Sequence, residues 1–230
     1  MMKNEELISG IKDAMPIVLG YLPLGFAFGV LANQVGMSVI QAGLMSLMCF
    51  TGAGQYIAIG IMQAGGAVFT IIMANLLVNL RYFLFATSTV PHLKNVPIGV
   101  ATLLSYGLTD ETYAVAMTRY QNHAGTASYM AGLNITAHIG WIGSTLGGAL
   151  LGTLITNTDR LGLGFALPAM YICLLIFVIG KRSDVLVAGI SALLCLLLGY
   201  FIPSSMVNLT NLIAATLVAA TLGVLIDEQH

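Results

Sequence analysis

Apolar stretches long enough to cross a lipid bilayer fill almost the whole chain, and they constrain the fold more than any other feature. About 20 mostly apolar residues span the hydrocarbon core, and a chain buried in lipid must satisfy its backbone hydrogen bonds within a helix. We predict eight transmembrane helices, at Ala14–Asn33, Ser38–Met62, Gly66–Val90, Val96–Met117, Ser128–Ile155, Gly164–Gly180, Asp184–Ile202 and Asn208–Ile226.

The composition leaves no room for a soluble domain beside these helices. Hydrophobic residues make up 58% of the 230 residues and charged residues 7%, whereas soluble domains carry charge on about 25% of their residues. The formal net charge of −1 offers no basic surface for nucleic acid. The sequence therefore predicts an all-α, polytopic helical membrane protein in which residues 1–230 form a single integral membrane domain within the lipid bilayer.

The first two predicted spans contain helix-breaking residues. Pro16 and Pro23 lie in the first span, and a proline inside a helix removes a backbone donor and kinks the chain. The second span contains the segment Thr51-Gly52-Ala53-Gly54-Gln55. We predict broken helices in both spans. If the second segment re-enters the membrane instead of crossing it, the number of transmembrane helices falls to seven.

Broken helices in membranes indicate a binding site for a solute. Transporters use pairs of discontinuous helices to bring half-helix ends to a bound solute, and the free N–H groups at such an end attract a carboxylate. The alternative is that these residues only allow helices to kink and cross closely. The candidate solute-binding residues in these two spans are Pro23, Thr51, Gly52, Gly54 and Gln55.

The third and fourth predicted spans carry polar and charged residues. Asn79 is a further candidate for solute binding, and Arg81 lies about 200° from it around a regular helix. An arginine in the bilayer costs about 2.5–3.5 kcal/mol and normally finds a partner or a watery cavity. One carboxylate of Asp110 and Glu111 could pair with Arg81, and the other could receive a substrate ammonium or a coupling proton. Alternatively, Arg81 reaches the interface, and the acidic pair caps a helix that begins later than predicted.

The distribution of Lys and Arg predicts the orientation in the membrane, because these residues are retained in short cytoplasmic loops. With eight crossings and a cytoplasmic N-terminus, the residues inside are Lys3, Lys12, Arg119, Lys181 and Arg182, and those outside are Lys94 and Arg160. We therefore predict a multi-pass protein of the cytoplasmic (inner) membrane with both termini inside. The first span is retained and not cleaved as a signal peptide, and we predict no cofactor and no metal site.

Several segments, taken together and in order, resemble a known family. They are Pro16–Gly29, Phe50–Gln55, Val78–Tyr82, Leu108–Glu111 and Leu161–Leu167. On these segments the chain is similar to the AzlC-like branched-chain amino acid exporters, specifically their large permease subunit. The last segment departs from the family pattern at Gly164, where the family commonly has an aspartate.

The resemblance implies export of hydrophobic amino acids such as valine, leucine and isoleucine, without enzymatic activity. It also implies a small AzlD-like membrane subunit as a partner. The buried carboxylates in turn suit a secondary transporter coupled to protons or another ion. Two other classes remain open from the residues alone. An intramembrane enzyme would also keep polar residues at depth, and a non-transporting scaffold subunit would share the apolar spans.

Overall fold

The protein is built from α-helices. The computed structural model describes residues 2–94, 96–152, 181–202 and 210–227, and also the separate positions 165, 168–169, 172, 175–176 and 179. The helices delimited in these ranges are α1 (Met2–Gln34), α2 (Val39–Met48), α3 (Gly52–Gln63), α4 (Val68–Thr89), α5 (Ile98–Ser105), α6 (Asp110–Tyr120), α7 (Ala127–Gly152), α8 (Arg182–Phe201) and α9 (Thr210–Asp227). A 3-10 turn at Val90–Leu93 follows α4.

Three stretches within the described ranges are helical, long and apolar enough to cross a membrane. They are Asn4–Gln34, Val68–Leu93 and Arg182–Phe201. The predicted third, fifth, seventh and eighth spans correspond to α4, α7, α8 and α9. Ten of the seventeen residues of the sixth predicted span, Gly164–Gly180, and all of the family segment Leu161–Leu167 except Phe165 lie outside the described residues. The helical membrane fold is thus confirmed, whereas the number of eight spans is not.

The first predicted span forms one continuous helix. α1 runs through Pro16 and Pro23 without interruption, so the predicted break in this span is wrong. The physical reason is its close packing along α7. A Cβ atom added at Gly29 would overlap the carbonyl oxygen of Thr145, and one added at Gly148 would overlap that of Phe26. Such packing holds a helix together where a proline removes one of its hydrogen bonds.

The second predicted span is broken, as predicted. α2 ends at Met48 and α3 begins at Gly52. The N–H of Cys49 still bonds to the carbonyl of Met45 at 2.8 Å, and the N–H of Thr51 bonds to the carbonyl of Cys49 at 2.7 Å. The carbonyl oxygen of Ser46, near the end of α2, has a partner in α7, where His138 Nε2 lies 3.1 Å from it.

The fourth predicted span, Val96–Met117, is broken too and does not cross, so its prediction as one continuous spanning helix is wrong. The rings of His92, before α5, and Tyr120, at the end of α6, stack with centroids 5.3 Å apart, which puts Lys94 and Arg119 on the same side and not on opposite sides as predicted. α5 ends at Ser105, and α6 begins only at Asp110. Thr109 starts α6 through a capping box, in which its hydroxyl accepts from the N–H of Thr112 and the hydroxyl of Thr112 accepts from the N–H of Thr109. Such a cap is worth about 1 kcal/mol, and the first-turn carboxylates of Asp110 and Glu111 add favourable interactions with the helix dipole.

The ends of the other helices follow local rules. Gly36 has φ of +87° and Gly65 has φ of +68°, the left-handed conformation that terminates helices and favours glycine. Gly36 follows α1 closely and Gly65 follows α3. Ser38 then opens α2 with a second capping box, formed with Gln41.

The chain divides into two compact units, and the division falls within α3 and α4. The first comprises Met1–Ile59 and Val78–Ala166, and the second comprises Gly60–Leu77 and Leu167–His230. The core of the first unit is the α1–α7 contact, where Phe28, Tyr129 and Trp141 are buried. In the second unit α8 packs on α9.

Candidate functional site

The two helix breaks of the first unit share one local design. A threonine directly precedes each second half-helix, Thr51 before α3 and Thr109 before α6. The Thr51 hydroxyl accepts from the N–H of Gly54 at 3.4 Å, and the Thr109 hydroxyl accepts from the N–H of Thr112 at 3.2 Å. Each break therefore presents a helix N-terminus, whose partial positive charge favours anionic groups.

α4 contacts both breaks. The Thr51 hydroxyl donates to Asn79 Oδ1 at 2.7 Å, and the Tyr82 hydroxyl lies 3.4 Å from the same threonine oxygen. Arg81, between these two residues, reaches the other break, where its Nη2 lies 3.0 Å from Asp110 Oδ2. The angular separation of Asn79 and Arg81 thus lets one helix contact two breaks.

α1 also contacts both breaks, through Tyr21. Its hydroxyl donates to Glu111 Oε2 at 2.8 Å and lies 2.8 Å from the hydroxyl of Thr109. Its ring meets the ring of Phe50 edge-on, with centroids 6.2 Å apart. The side chains of α1 and α4 therefore bring the start of α3 and the start of α6 into one polar region. We call this region the two-break site, defined by Tyr21, Thr51, Asn79, Arg81, Thr109, Asp110 and Glu111.

The charges of the two-break site are unequally paired. Arg81 and Asp110 form an ion pair with side chains 27% and 20% exposed. Glu111 is half-buried, and within the described part of the chain no ion pair involves it. The Nε of Arg81 is buried and donates no hydrogen bond. The site therefore holds two incompletely paired groups. One is the Nε–H of Arg81, which makes no hydrogen bond, and the other is the carboxylate of Glu111, which has no cationic partner among the described residues.

Gln55 lies beside the two-break site but is fully engaged. Its side chain is 1% exposed. Its Nε2 donates to the hydroxyl of Ser46 at 3.0 Å, and its Oε1 accepts from Trp141 Nε1 at 2.8 Å. The Ser46 hydroxyl lies 2.9 Å from that of Thr145. This network ties the break to α7, and because its side chain is 1% exposed, Gln55 offers no open face to a solute.

The remaining candidates occupy different surroundings. Pro23 is exposed and follows Tyr21 by two residues, about 200° further around α1. Gly52 and Gly54 lie in the first turn of α3. A Cβ atom added at Gly52 would come within 3.0 Å of the Trp141 ring, so that glycine provides room for the indole.

Two residues of the two-break site, Tyr21 and Thr109, were not among the sequence candidates, and neither was Tyr82 beside it. Tyr21 could have been found as a hydroxyl-bearing aromatic residue in the middle of an apolar span. Thr109 carried a clearer signal, because a threonine three residues before another hydroxyl residue, with two carboxylates between them, is typical of a helix start. That signal agrees with the alternative of a later, capped helix start.

The fold and these buried polar groups define the class, a multi-pass helical membrane protein. Within that class the chain belongs to the AzlC family, whose profile, described as AzlC protein, matches residues 16–155. A membrane protein of Archaeoglobus fulgidus is 32% identical over 176 residues, covering 76% of each chain. The inner membrane protein YgaZ of Escherichia coli is 26% identical over 192 residues, covering 81% of this chain and 78% of its own.

A third relative has a name that states an activity. The branched-chain amino acid transport protein AzlC of Bacillus subtilis is 25% identical over 183 residues, covering 76% of this chain and 70% of its own. The family match spans α1 from Pro16 through α7 and so contains the whole two-break site. No solved structure matches the chain.

Proposed function

We propose that the protein is a secondary transporter that exports hydrophobic amino acids, valine, leucine and isoleucine among them, across the cytoplasmic membrane. The observation that carries the proposal is the unequal pairing of charge at the two-break site. The similarity to the Bacillus subtilis transport protein supports the substrate class. A small AzlD-like membrane subunit is part of the proposal, as is coupling to protons or another ion.

The free groups of the two-break site complement the two charges of an amino acid. A solute carboxylate can accept from Arg81 Nε, which is buried without a partner, and from the N–H groups at a half-helix start. A solute ammonium can bond to Glu111, which lacks a cationic partner among the described residues. When no solute is bound, Glu111 can instead carry the coupling proton. Asp110, already paired with Arg81, holds the guanidinium in place.

An enzyme or a scaffold subunit fits these groups less well. A buried carboxylate without a cation is costly in an apolar environment, and a scaffold gains nothing from it. In the proposed site, Arg81 and the half-helix N–H groups bind the carboxylate of an amino acid and Glu111 binds its ammonium group. Such hydrogen bonds and ion pairs allow the solute to bind reversibly. We therefore place Gln55 and Trp141 as supports of the site and Glu111 as its solute-binding carboxylate.

The direct test is efflux of labelled valine, leucine and isoleucine from preloaded cells. Cells with the protein, with the protein and a candidate small partner, and with neither are compared. We expect faster efflux of all three amino acids with the protein and no acceleration for lysine or glutamate. Equal efflux in all cells would contradict the proposal, and cleavage of peptides or lipids by the purified protein would favour an intramembrane enzyme instead.

Glu111→Gln is expected to weaken amino acid binding, since it removes the charge that meets the ammonium but keeps the shape. A hydrogen bond to a charged group is worth about 1.5–3 kcal/mol, so the apparent affinity should fall roughly ten- to a hundredfold. Glu111→Asp, which keeps the charge, serves as the matched control and should lose less. If leucine and its deaminated analogue 4-methylpentanoate are affected equally by Glu111→Gln, the carboxylate serves the coupling proton and not the ammonium.

The proposed orientation places both termini in the cytoplasm and can be measured independently of transport. In a cysteine-free variant, a single cysteine replacing His123, which is exposed between α6 and α7, should resist an impermeant thiol reagent added to intact cells. A cysteine replacing Gln34, exposed at the far end of α1 from Glu6, should react. Labelling at position 123 together with protection at position 34 would contradict a cytoplasmic N-terminus.

A further inference from the structure

Arg119, at the last turn of α6, forms a second charged cluster away from the two-break site. Its Nη2 lies 3.1 Å from both carboxylate oxygens of Glu6. Its Nη1 donates to Ser9 Oγ at 3.0 Å and lies 3.8 Å from Asp13 Oδ2. The guanidinium also packs on the Tyr129 ring, 4.3 Å from its centroid. One cation thus ties the end of α6 to α1 and to the start of α7.

This cluster and the two-break site lie at opposite ends of the same helix pair. Tyr21 of α1 contacts the start of α6, whereas Glu6 of α1 contacts its end. The two helices therefore run antiparallel. Arg119 follows Asp110 by nine residues, which places it about 14 Å further along α6 at 1.5 Å per residue. α1 and α6 are joined both at the proposed binding site and near the N-terminal end of α1.

The contacts of α6 differ in kind from those between α1 and α7. α1 and α7 approach with backbone against backbone, because Cβ atoms added at Gly10 and Gly132 would overlap the carbonyl oxygens of Tyr129 and Leu7. The hydrogen bonds and the two ion pairs between α6 and α1 are made by side chains. Side-chain bonds can open and re-form, whereas closely packed backbones are not free to slide. The side-chain bonds of Arg119 can therefore open without disturbing the close packing of α1 on α7.

We propose that Arg119 is a positioning residue for transport, and that its bonds to Glu6 and Asp13 form an ionic latch between α6 and α1. The latch keeps the two-break site closed towards the end of the molecule that carries Glu6, and it opens when a solute enters or leaves from that end. The inference rests on the proposed transport function. It adds a gating pair whose members do not touch the solute.

The first test is made on purified protein by hydrogen–deuterium exchange. Glu6→Gln keeps the side-chain shape but removes the charge that binds Arg119, and Glu5→Gln, an exposed neighbour, is the matched control. We expect faster exchange in α6 for Glu6→Gln than for the wild type or Glu5→Gln, with α7 unchanged, because local opening governs exchange. Equal exchange in α6 for all three proteins would overturn the latch. Arg119→Gln provides a second variant and should accelerate exchange in α6 further.

The second test is the apparent KM for leucine presented from the N-terminal side. The apparent affinity rises and falls with the fraction of molecules that are open, so Glu6→Gln should lower the KM by about two- to fivefold, the effect of a partly exposed ion pair. A merely structural role would instead lower the amount of folded protein and the maximal rate, leaving the KM unchanged, and that result would overturn the latch. If the wild type transports no amino acid, the proposed function fails, and the exchange experiment alone decides the latch.

Discussion

Gly148→Ala is expected to separate α1 from α7 and to destabilise the protein severely. A Cβ atom at this position would overlap the carbonyl oxygen of Phe26 and would come within 2.8 Å of its Cα. These are backbone atoms, which cannot rotate away as a flexible side chain can. Overpacking costs about 1–3 kcal/mol, and we expect an effect at the upper end of that range. The measurement is the thermal unfolding midpoint of the detergent-solubilised protein.

Gly147→Ala is the matched control for this experiment. No atom lies within 4 Å of a Cβ added at Gly147, and the position is in the same helix, one residue away. Alanine favours a helix over glycine by about 1 kcal/mol, so Gly147→Ala should leave the unfolding midpoint unchanged or raise it. Equal midpoints for the two variants would mean that α1 and α7 are further apart than described here.

Arg81→Ala is expected to reduce both stability and transport, because it leaves Asp110 half-buried without its cation. Removing one partner of a buried ion pair costs about 3–5 kcal/mol. The two side chains retain 27% and 20% exposure, so we expect a loss of stability near 3 kcal/mol, at the lower end of that range. Asn75→Ala, in the same helix, is the control, since the Asn75 amide bonds only to the carbonyl of Ile71 in its own helix.

A double variant separates the contribution of the ion pair to stability from the role of Arg81 in transport. Arg81→Ala combined with Asp110→Ala removes both charges, and the stability lost should be smaller than the sum of the two single losses. Transport should remain impaired in the double variant, since the proposed partner of the solute carboxylate is still missing. Additive losses of stability would show that the two charges are solvated separately and do not interact.

The sequence was informative where a local signal and the surrounding apolar pattern agreed. The break before Gly52 was predicted because two closely spaced glycines interrupt an apolar run. The break before Asp110 was predicted only as an alternative, in which the acidic pair caps a helix that begins later, because the flanking residues are apolar enough to suggest one long span. The break at Pro16 and Pro23 was predicted wrongly, since packing along α7 overrides the local effect of a proline.

Contacts between distant parts of the chain were beyond the reach of local patterns. Gln55 was expected to face a solute because glutamine is polar. Its bond to Trp141, 86 residues away, depends on how α3 packs against α7, and no spacing along the chain encodes that. The two-break site illustrates the same point. Spacing predicted that Asn79 and Arg81 point apart, but only the fold reveals that one break lies on each side.

The hydroxyl of Tyr21 has a single hydrogen, and this links the carboxylate of Glu111 to the Thr109 hydroxyl that caps α6. Because that hydrogen is donated to Glu111, the short bond between Tyr21 and Thr109 takes the hydrogen of Thr109, which otherwise points to Thr112 Oγ1 at 3.3 Å. If Glu111 binds a proton, it becomes a donor itself, and Tyr21 can turn its own hydrogen towards Thr109. If Glu111 carries the proposed coupling proton, the hydroxyl that caps α6 changes its hydrogen bond with it, because Tyr21, Thr109 and Glu111 share one chain of three oxygen atoms.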